Sequence, residues 1–215
     1  MRRERLIDIS TTLAPGTPEW PGDTPFSCGW TWRMADGASV NLSALTTSPH
    51  VGTHADAPLH VHDDGAPSDQ LPLDAFIGPA VVVDVSHLAG ELDRDTLRAA
   101  GLVTTPARLL LKTGQSIARG GFPESWPALT AACVQSLTAD GLRLVGVDCP
   151  SVDVRESKTL DVHHAIFGGG AFILENLDLS IPAAGSYDLM AAPVKLGGLD
   201  AAPVRAVLRQ TSSDT

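Results

Sequence analysis

Four of the chain's seven histidines fall between residues 50 and 62, inside the stretch SPHVGTHADAPLHVHDDG (48–65). Asp56 lies among them, and Asp63 and Asp64 follow directly after. Imidazole nitrogen together with carboxylate oxygen is a donor set suited to zinc or manganese. Imidazole also carries protons near neutral pH, so the same residues suit acid–base work. His50, His54, Asp56 and His60 succeed one another at offsets of 4, 2 and 4. Histidines four apart can hold zinc from a helix, as in H-E-x-x-H. Here Pro49, Gly52 and Pro58 oppose a helix, and no glutamate follows the first histidine. Extended backbone instead places His54 and Asp56 on one face. A bend at Gly52 would bring His50 round to it. A solvated, histidine-rich loop is the plainer alternative, and His62, Asp63 and Asp64 suit it. The interposed Gly-Thr and Ala-Pro pairs argue against it for the rest.

Any such site needs elements to hold it. The first 75 residues are rich in Pro, Gly, Thr and Trp and lack apolar periodicity, which predicts loops and short strands. PEWPGDTPF (18–26) cannot be helical because its three prolines restrict it. From residue 79 the texture changes. AVVVDV (80–85), ARLLLK (107–112), LRLVGVD (142–148) and AFILE (171–175) are short apolar runs bounded by turn residues, which read as buried strands. Further strands are expected within 186–196 and 204–210. DRDTLRAAG (93–101) and TAACVQSLTADG (130–141) read as helices, the second with Thr130 as N-cap and Gly141 past its end. Strands alternating with helices predict an α/β chain. The strand-rich first third favours a mixed sheet over a doubly wound parallel one.

At 215 residues the chain is expected to form a single domain with a substantial core. Its apolar fraction of 43% and charged fraction of 19% are those of a globular protein. The net charge of −10 opposes a nucleic-acid partner, since phosphate binding relies on Lys and Arg. Three cysteines without C-x-x-C spacing predict neither a disulfide framework nor a thiolate zinc site, and suggest a reducing compartment. MRRERLIDIS does not read as a signal peptide, and no run is long enough to cross a bilayer. The expectation is a cytoplasmic protein with no membrane partner. Trp20, Phe26, Trp30 and Trp32 supply flat apolar surface, and Trp30 and Trp32 are expected in the core.

A second chemical stretch lies far downstream. In DVHHAIFGGGAFILE (161–175), Glu175 ends a buried-type strand twelve residues after His163. A carboxylate there must be paired with a cation, an arginine or a metal. KTGQS (112–116) lacks the order of a phosphate loop, and Ser151 has no G-x-S-x-G context.

HVGTHADAPLH (50–60) resembles the H-x-G-T-H-x-D-x-P-x-H signature of the cyclase-like metal-dependent hydrolases. Within them, DIS (8–10), WPGDTPF (20–26), SKTLDVHHA (157–165), ILE (173–175) and LDAAPVRAVLR (199–209) resemble the bacterial kynurenine formamidases, or arylformamidases. The resemblance covers nearly the whole chain. It implies a swivelling β/β/α-type fold, a homodimer, and two zinc ions per subunit, with manganese or another divalent ion as alternatives. It makes His50, His54 and Asp56 ligands of a first metal. Asp56 would bridge to a second metal, bound by His163 and contacted by Glu175. It aligns His60 with a general acid–base, whose alternative is a further metal ligand, and Trp20 with a substrate-contacting ring. The implied reaction is hydrolysis of N-formyl-L-kynurenine to L-kynurenine and formate. Two departures, FGGG (167–170) and Ile7, bear on substrate rather than on the ligands. The nearest rival reaction opens an isatin-type lactam or a cyclic imide, and a rival of another class is a non-catalytic metal-binding protein.

Overall fold

The structure, a computed structural model, describes residues 5–210; the first four residues of the basic start lie outside it. The first third holds β1 (Leu6–Asp8), a hairpin of β2 (Ser27–Trp32) and β3 (Leu42–Thr46), and β4 (His54–Asp56). The middle runs through α1 (Leu73–Phe76), β5 (Ile77–Asp84), β6 (Glu91–Leu92), α2 (Arg94–Ala99), β7 (Arg108–Lys112), β8 (Ala128–Leu129), α3 (Ala131–Ala139) and β9 (Leu144–Val147). The rest comprises α4 (Asp161–Gly168), β10 (Phe172–Glu175), β11 (Gly185–Met190), β12 (Ala201–Pro203) and β13 (Val207–Gln210).

Nine strands form one sheet in the order β1-β13-β11-β5-β7-β9-β10-β4-β12. Its centre, β5-β7-β9-β10, is parallel, and antiparallel strands flank it on both sides. This is the mixed α/β sheet expected from the sequence. The central strands are apolar on both faces because both are covered. Val83, Leu109, Leu111, Val145, Val147 and Ile173 pack against Leu97 of α2, Val134 and Leu137 of α3, and Val162 and Ile166 of α4. The alternate residues Val82, Leu110, Leu144 and Leu174 meet Ile7, Phe76, Leu189 and Leu208. The second face is therefore covered largely by strands of the sheet's own edge, which requires it to curl.

Connectivity demands the same curl. β12 and β13 are seven places apart in the strand order, about 34 Å in a flat sheet at ~4.8 Å per strand. Only residues 204–206 join them, a reach of about 14 Å when fully extended.

The two expected helices form, one residue inside their predicted starts. Asp93 accepts from the Thr96 amide and Thr130 from the Cys133 amide, which satisfies an orphan donor at each N-terminus. Several details differ from expectation. The strand predicted within 186–196 ends at Met190, the one predicted within 204–210 starts only at Val207, and β12 lies before the predicted range. Helix α4 is an addition to the expected elements, and its N-cap residue, Leu160, offers no capping side chain. Trp30 and Trp32 are exposed rather than in the core, because no second layer covers the β2–β3 hairpin.

Two glycines shape the histidine segment. Gly52 has a φ of +74°, a left-handed turn that favours glycine, and it lies against Leu13. Gly65 closes the loop after His60, and a Cβ there would collide with the Pro58 carbonyl carbon and the Leu59 nitrogen. Backbone cannot retreat as a side chain can. Gly65→Ala is expected to cost about 1–3 kcal/mol in urea unfolding; an unchanged midpoint would show that the Pro58–His60 turn is not held by this contact.

Candidate metal centre

β4 lies between β10 and β12, and register sets the centre. His54 pairs with Glu175 on one side, while Asp56 pairs with Ala201 on the other. Directly opposed residues share a face, so His54 and Glu175 meet across the strands. The turn at Gly52 returns His50 to the same place. Thr53 locks that turn: its hydroxyl donates to the Asn176 carbonyl at 2.7 Å and accepts from the Thr11 amide at 2.8 Å. Helix α4 delivers His163 from the other side.

Asp56 is fully buried, and neither of its carboxylate oxygens has a hydrogen-bond partner. Its Oδ1 lies 3.1 Å from His50 Nδ1 and 3.3 Å from His54 Nε2. Its Oδ2 lies 3.5 Å from His163 Nε2. Glu175 spans the same gap, with Oε2 3.5 Å from His54 Nε2 and Oε1 3.6 Å from His163 Nε2. Glu175 meets histidines here, not an arginine; Oε1 also accepts from the Val152 amide at 2.7 Å. Ligands bound at about 2.0–2.1 Å in a tetrahedron stand about 3.3–3.4 Å apart, which is the spacing these atoms already have. The donors therefore fit a divalent ion at His54, Asp56 and Glu175 and a second at His50 and Asp56, with His60 within reach of the latter.

The far nitrogen of each histidine is occupied. His54 Nδ1 donates to the Gly52 carbonyl at 2.8 Å, His163 Nδ1 to Asp153 at 2.6 Å, and His50 Nε2 to Asp200 at 3.0 Å. Outer partners of this kind fix the tautomer and aim the remaining lone pair inward, as metal-bound histidines require. Asp153 also caps α4, since its oxygens accept from the Val162 and His163 amides at 3.1 Å. Asp200 Oδ2 faces His60 Nδ1 at 3.3 Å as well, so one carboxylate orients both histidines.

A cavity of about 520 Å³ opens over this centre. Its lining includes His50, His54, His60, His163, Glu175 and Asp200, together with Trp20 and Phe122. Trp20 packs edge-on against Phe122 at 5.5 Å and Trp126 at 6.3 Å, which fixes its ring at the cavity wall. All seven site residues expected from the sequence thus border or floor one space. Asp153, Asp200 and Asn176 join them without having been expected. Asp200 sits inside LDAAPVRAVLR, so its neighbourhood is visible in the sequence though its partner is not. Asn176, with φ +55° and a buried Oδ1 lacking a partner, carries no sequence signal. His62 lies outside the centre, near His164.

Electrostatics without metal follow from the buried acids. Burial alone would lower the histidine pKa values, but Asp200 and Asp56 raise His50 to about 9. Asp56 and Glu175 raise buried His54 to about 10 against the same penalty. Asp153, with Asp56 and Glu175, raises His163 to about 10. Burial opposes ionisation of Asp56 too, yet His54, His163 and His50 hold its carboxyl well below the usual range. Protons thus stand where a cation would.

Comparison with known proteins places the chain. A family model described as Cyclase, putative cyclase, matches residues 7–154. The chain belongs to the putative cyclase family. The match takes in the segment from His50 to His60 but ends before His163 and Glu175. Solved structures extend the likeness over nearly the whole chain. A potential metal-dependent hydrolase with cyclase activity is 26% identical with a TM-score of 0.82, covering 98% of this chain and 100% of its own. A predicted metal-dependent hydrolase from Bacillus stearothermophilus is 26% identical, also at 0.82, covering 97% and 99%. Isatin hydrolase A from Labrenzia aggregata, bound to benzyl benzoate, shares the fold at 24% identity and 0.82, covering 97% and 94%. Among the described residues no helix is long and apolar enough to cross a membrane.

Because the three histidines hold protons at pH 7, a cation must displace them. Calorimetric titration of zinc into metal-free protein, in buffers of different ionisation enthalpy, is expected to show proton release and an affinity that rises with pH toward 9–10. Binding without proton release would exclude these side chains as the ligands.

Proposed function

We propose that this chain is a metal-dependent amide hydrolase that converts N-formyl-L-kynurenine to L-kynurenine and formate. The observation that carries it is Asp56: a fully buried carboxylate with two unpartnered oxygens, facing imidazole nitrogens on both sides. Such a group is costly unless cations sit against it. His50, His54, Asp56, His163 and Glu175 would hold two divalent ions, zinc by the imidazole–carboxylate donor set. Ions held there supply a Lewis acid for the scissile carbonyl and make hydroxide available near neutral pH. Two structural relatives at 26% identity, described as a potential and a predicted metal-dependent hydrolase, support the same class.

The chain's own groups do the rest. Water adds to the formyl carbon, the carbon–nitrogen bond breaks, and the aniline nitrogen must leave with a proton. His60 borders the cavity, and Asp200 takes the hydrogen bond from its Nδ1. Its Nε2 is then the atom that accepts water's proton and returns it to the departing nitrogen. Trp20 offers a rigid ring to the substrate's aryl group. The same constellation would open a cyclic amide, the class of reaction named for the isatin hydrolases that share the fold. Formylkynurenine turnover, followed by ultraviolet absorbance with metal loaded, decides between them, and absence of turnover would favour the ring openers.

His60→Ala separates proton transfer from metal binding. Metal content should be retained while kcat falls about 100- to 10,000-fold, the usual span of general acid–base catalysis. Loss of metal instead would make His60 a ligand.

The active form in this reading is a homodimer. Support comes from the β2–β3 hairpin, which leaves Trp30, Trp32, Leu42 and Leu45 exposed on one small sheet. Contiguous exposed apolar surface of this kind marks an interaction site. Light scattering should return twice the chain mass for the native protein and the chain mass for a Trp32→Ser, Leu45→Asp double variant. A native monomer at micromolar concentration overturns it.

A further inference from the structure

The metal centre, His60 and the aromatic wall leave one part of the cavity with no role in this chemistry. Arg155 and Lys158 line it, on the loop between Asp153 and α4. In a chain with 15 basic and 25 acidic residues, basic side chains readily find acids. Arg94, Arg98, Arg143, Arg205 and Arg209 each pair with an aspartate. Arg108 is sunk among the carbonyls of Asp74, Ala75 and Pro79. Arg155 is half-buried yet has no hydrogen bond or ion pair among the described residues.

What holds Arg155 is an aromatic face. Its guanidinium carbon lies 5.5 Å from the centroid of Phe122, the ring against which Trp20 packs. A cation–π contact fixes the plane of a guanidinium but accepts none of its five N–H donors. The fork is therefore positioned, partly desolvated and unanswered. A planar fork of this kind matches a carboxylate in a bidentate manner. Lys158, exposed beside it, adds a mobile second charge. The acids that line the same cavity, Asp23, Glu175 and Asp200, lie beyond ion-pair distance of both cations. Asp200 and Glu175 are already engaged with histidines.

We propose that Arg155, with Lys158, is an anion subsite that selects aryl amides carrying a carboxylate on a flexible arm. The proposal rests on the amide-hydrolase reading and sharpens it. An aryl ring against Trp20 and Phe122 places its amide toward the histidines and its carboxylate arm toward the loop. A neutral cyclic amide would leave the guanidinium without a partner, so the subsite also discriminates against ring substrates of that kind.

The test uses zinc-loaded enzyme and two matched substrates, 4-(2-formamidophenyl)-4-oxobutanoate and its methyl ester. Wild type should favour the acid over the ester by about 10- to 100-fold in kcat/KM, the scale of a charge-assisted hydrogen-bonded pair. Arg155→Met should bring that ratio close to one, chiefly through KM for the acid, and Arg155→Lys should retain part of it. A wild-type ratio near one, or the same ratio in Arg155→Met, overturns the proposal. Calorimetric binding of the deformylated acid, 4-(2-aminophenyl)-4-oxobutanoate, separates this from the reaction itself. Binding by wild type and its loss in Arg155→Met support the subsite even if neither formamide is hydrolysed, an outcome that would count against the amide-hydrolase reading alone. Equal binding by both proteins, or none by either, overturns the subsite.

Discussion

The rest of the site is arranged around the desolvation of Asp56. A carboxylate removed from water without hydrogen bonds is tolerated only where positive charge replaces the lost solvent. Three imidazoles surround it, and whether they carry protons or cede their lone pairs to metal, the charge requirement is met at the same atoms. This explains why the segment has to be a strand. Only the alternation of extended backbone puts His54 beside Asp56, and only pairing with both β10 and β12 excludes water from between them.

A second set of contacts gives the centre its rigidity. The Gly52 carbonyl, Asp153 and Asp200 each take the outward nitrogen of one imidazole, leaving the inward nitrogen no freedom to turn. Asp153 couples this to the backbone, because the carboxylate that aligns His163 also caps the helix carrying it. His60 shares the Asp200 carboxylate with His50, so one side chain orients both imidazoles.

The local part of this is legible in the chain. His50, Gly52, His54, Asp56 and His60 lie within eleven residues, and glycine and proline placement alone rules out a helix there. The central strands are legible too, since burial on both faces demands unbroken apolar runs such as LRLVGVD. What spacing cannot convey is partnership across the sheet. Asp200 reaches His50 because β12 pairs with β4, a contact spanning 150 positions. Helix α4 has no local start signal because its cap, Asp153, lies eight residues before its first helical residue. Trp30 and Trp32 defy the core expectation because aromatic content indicates burial only where a second layer exists, and the β2–β3 hairpin has none.

The short link at 204–206 ties together two events that could otherwise proceed separately. β12 completes the strand pairing around His54 and Asp56, while β13 pairs with β1 and β11 at the opposite margin. β1 therefore waits for β13, and Leu6 meets Arg209 only after some two hundred intervening residues have been synthesised. Contacts this distant in sequence make folding slow. On the ribosome, Asp200 and the sheet's closing strands would emerge almost together. A nascent chain would then hold its histidines in an unfinished trough until residues 200–210 had emerged, and the enclosure around Asp56 would form only after them.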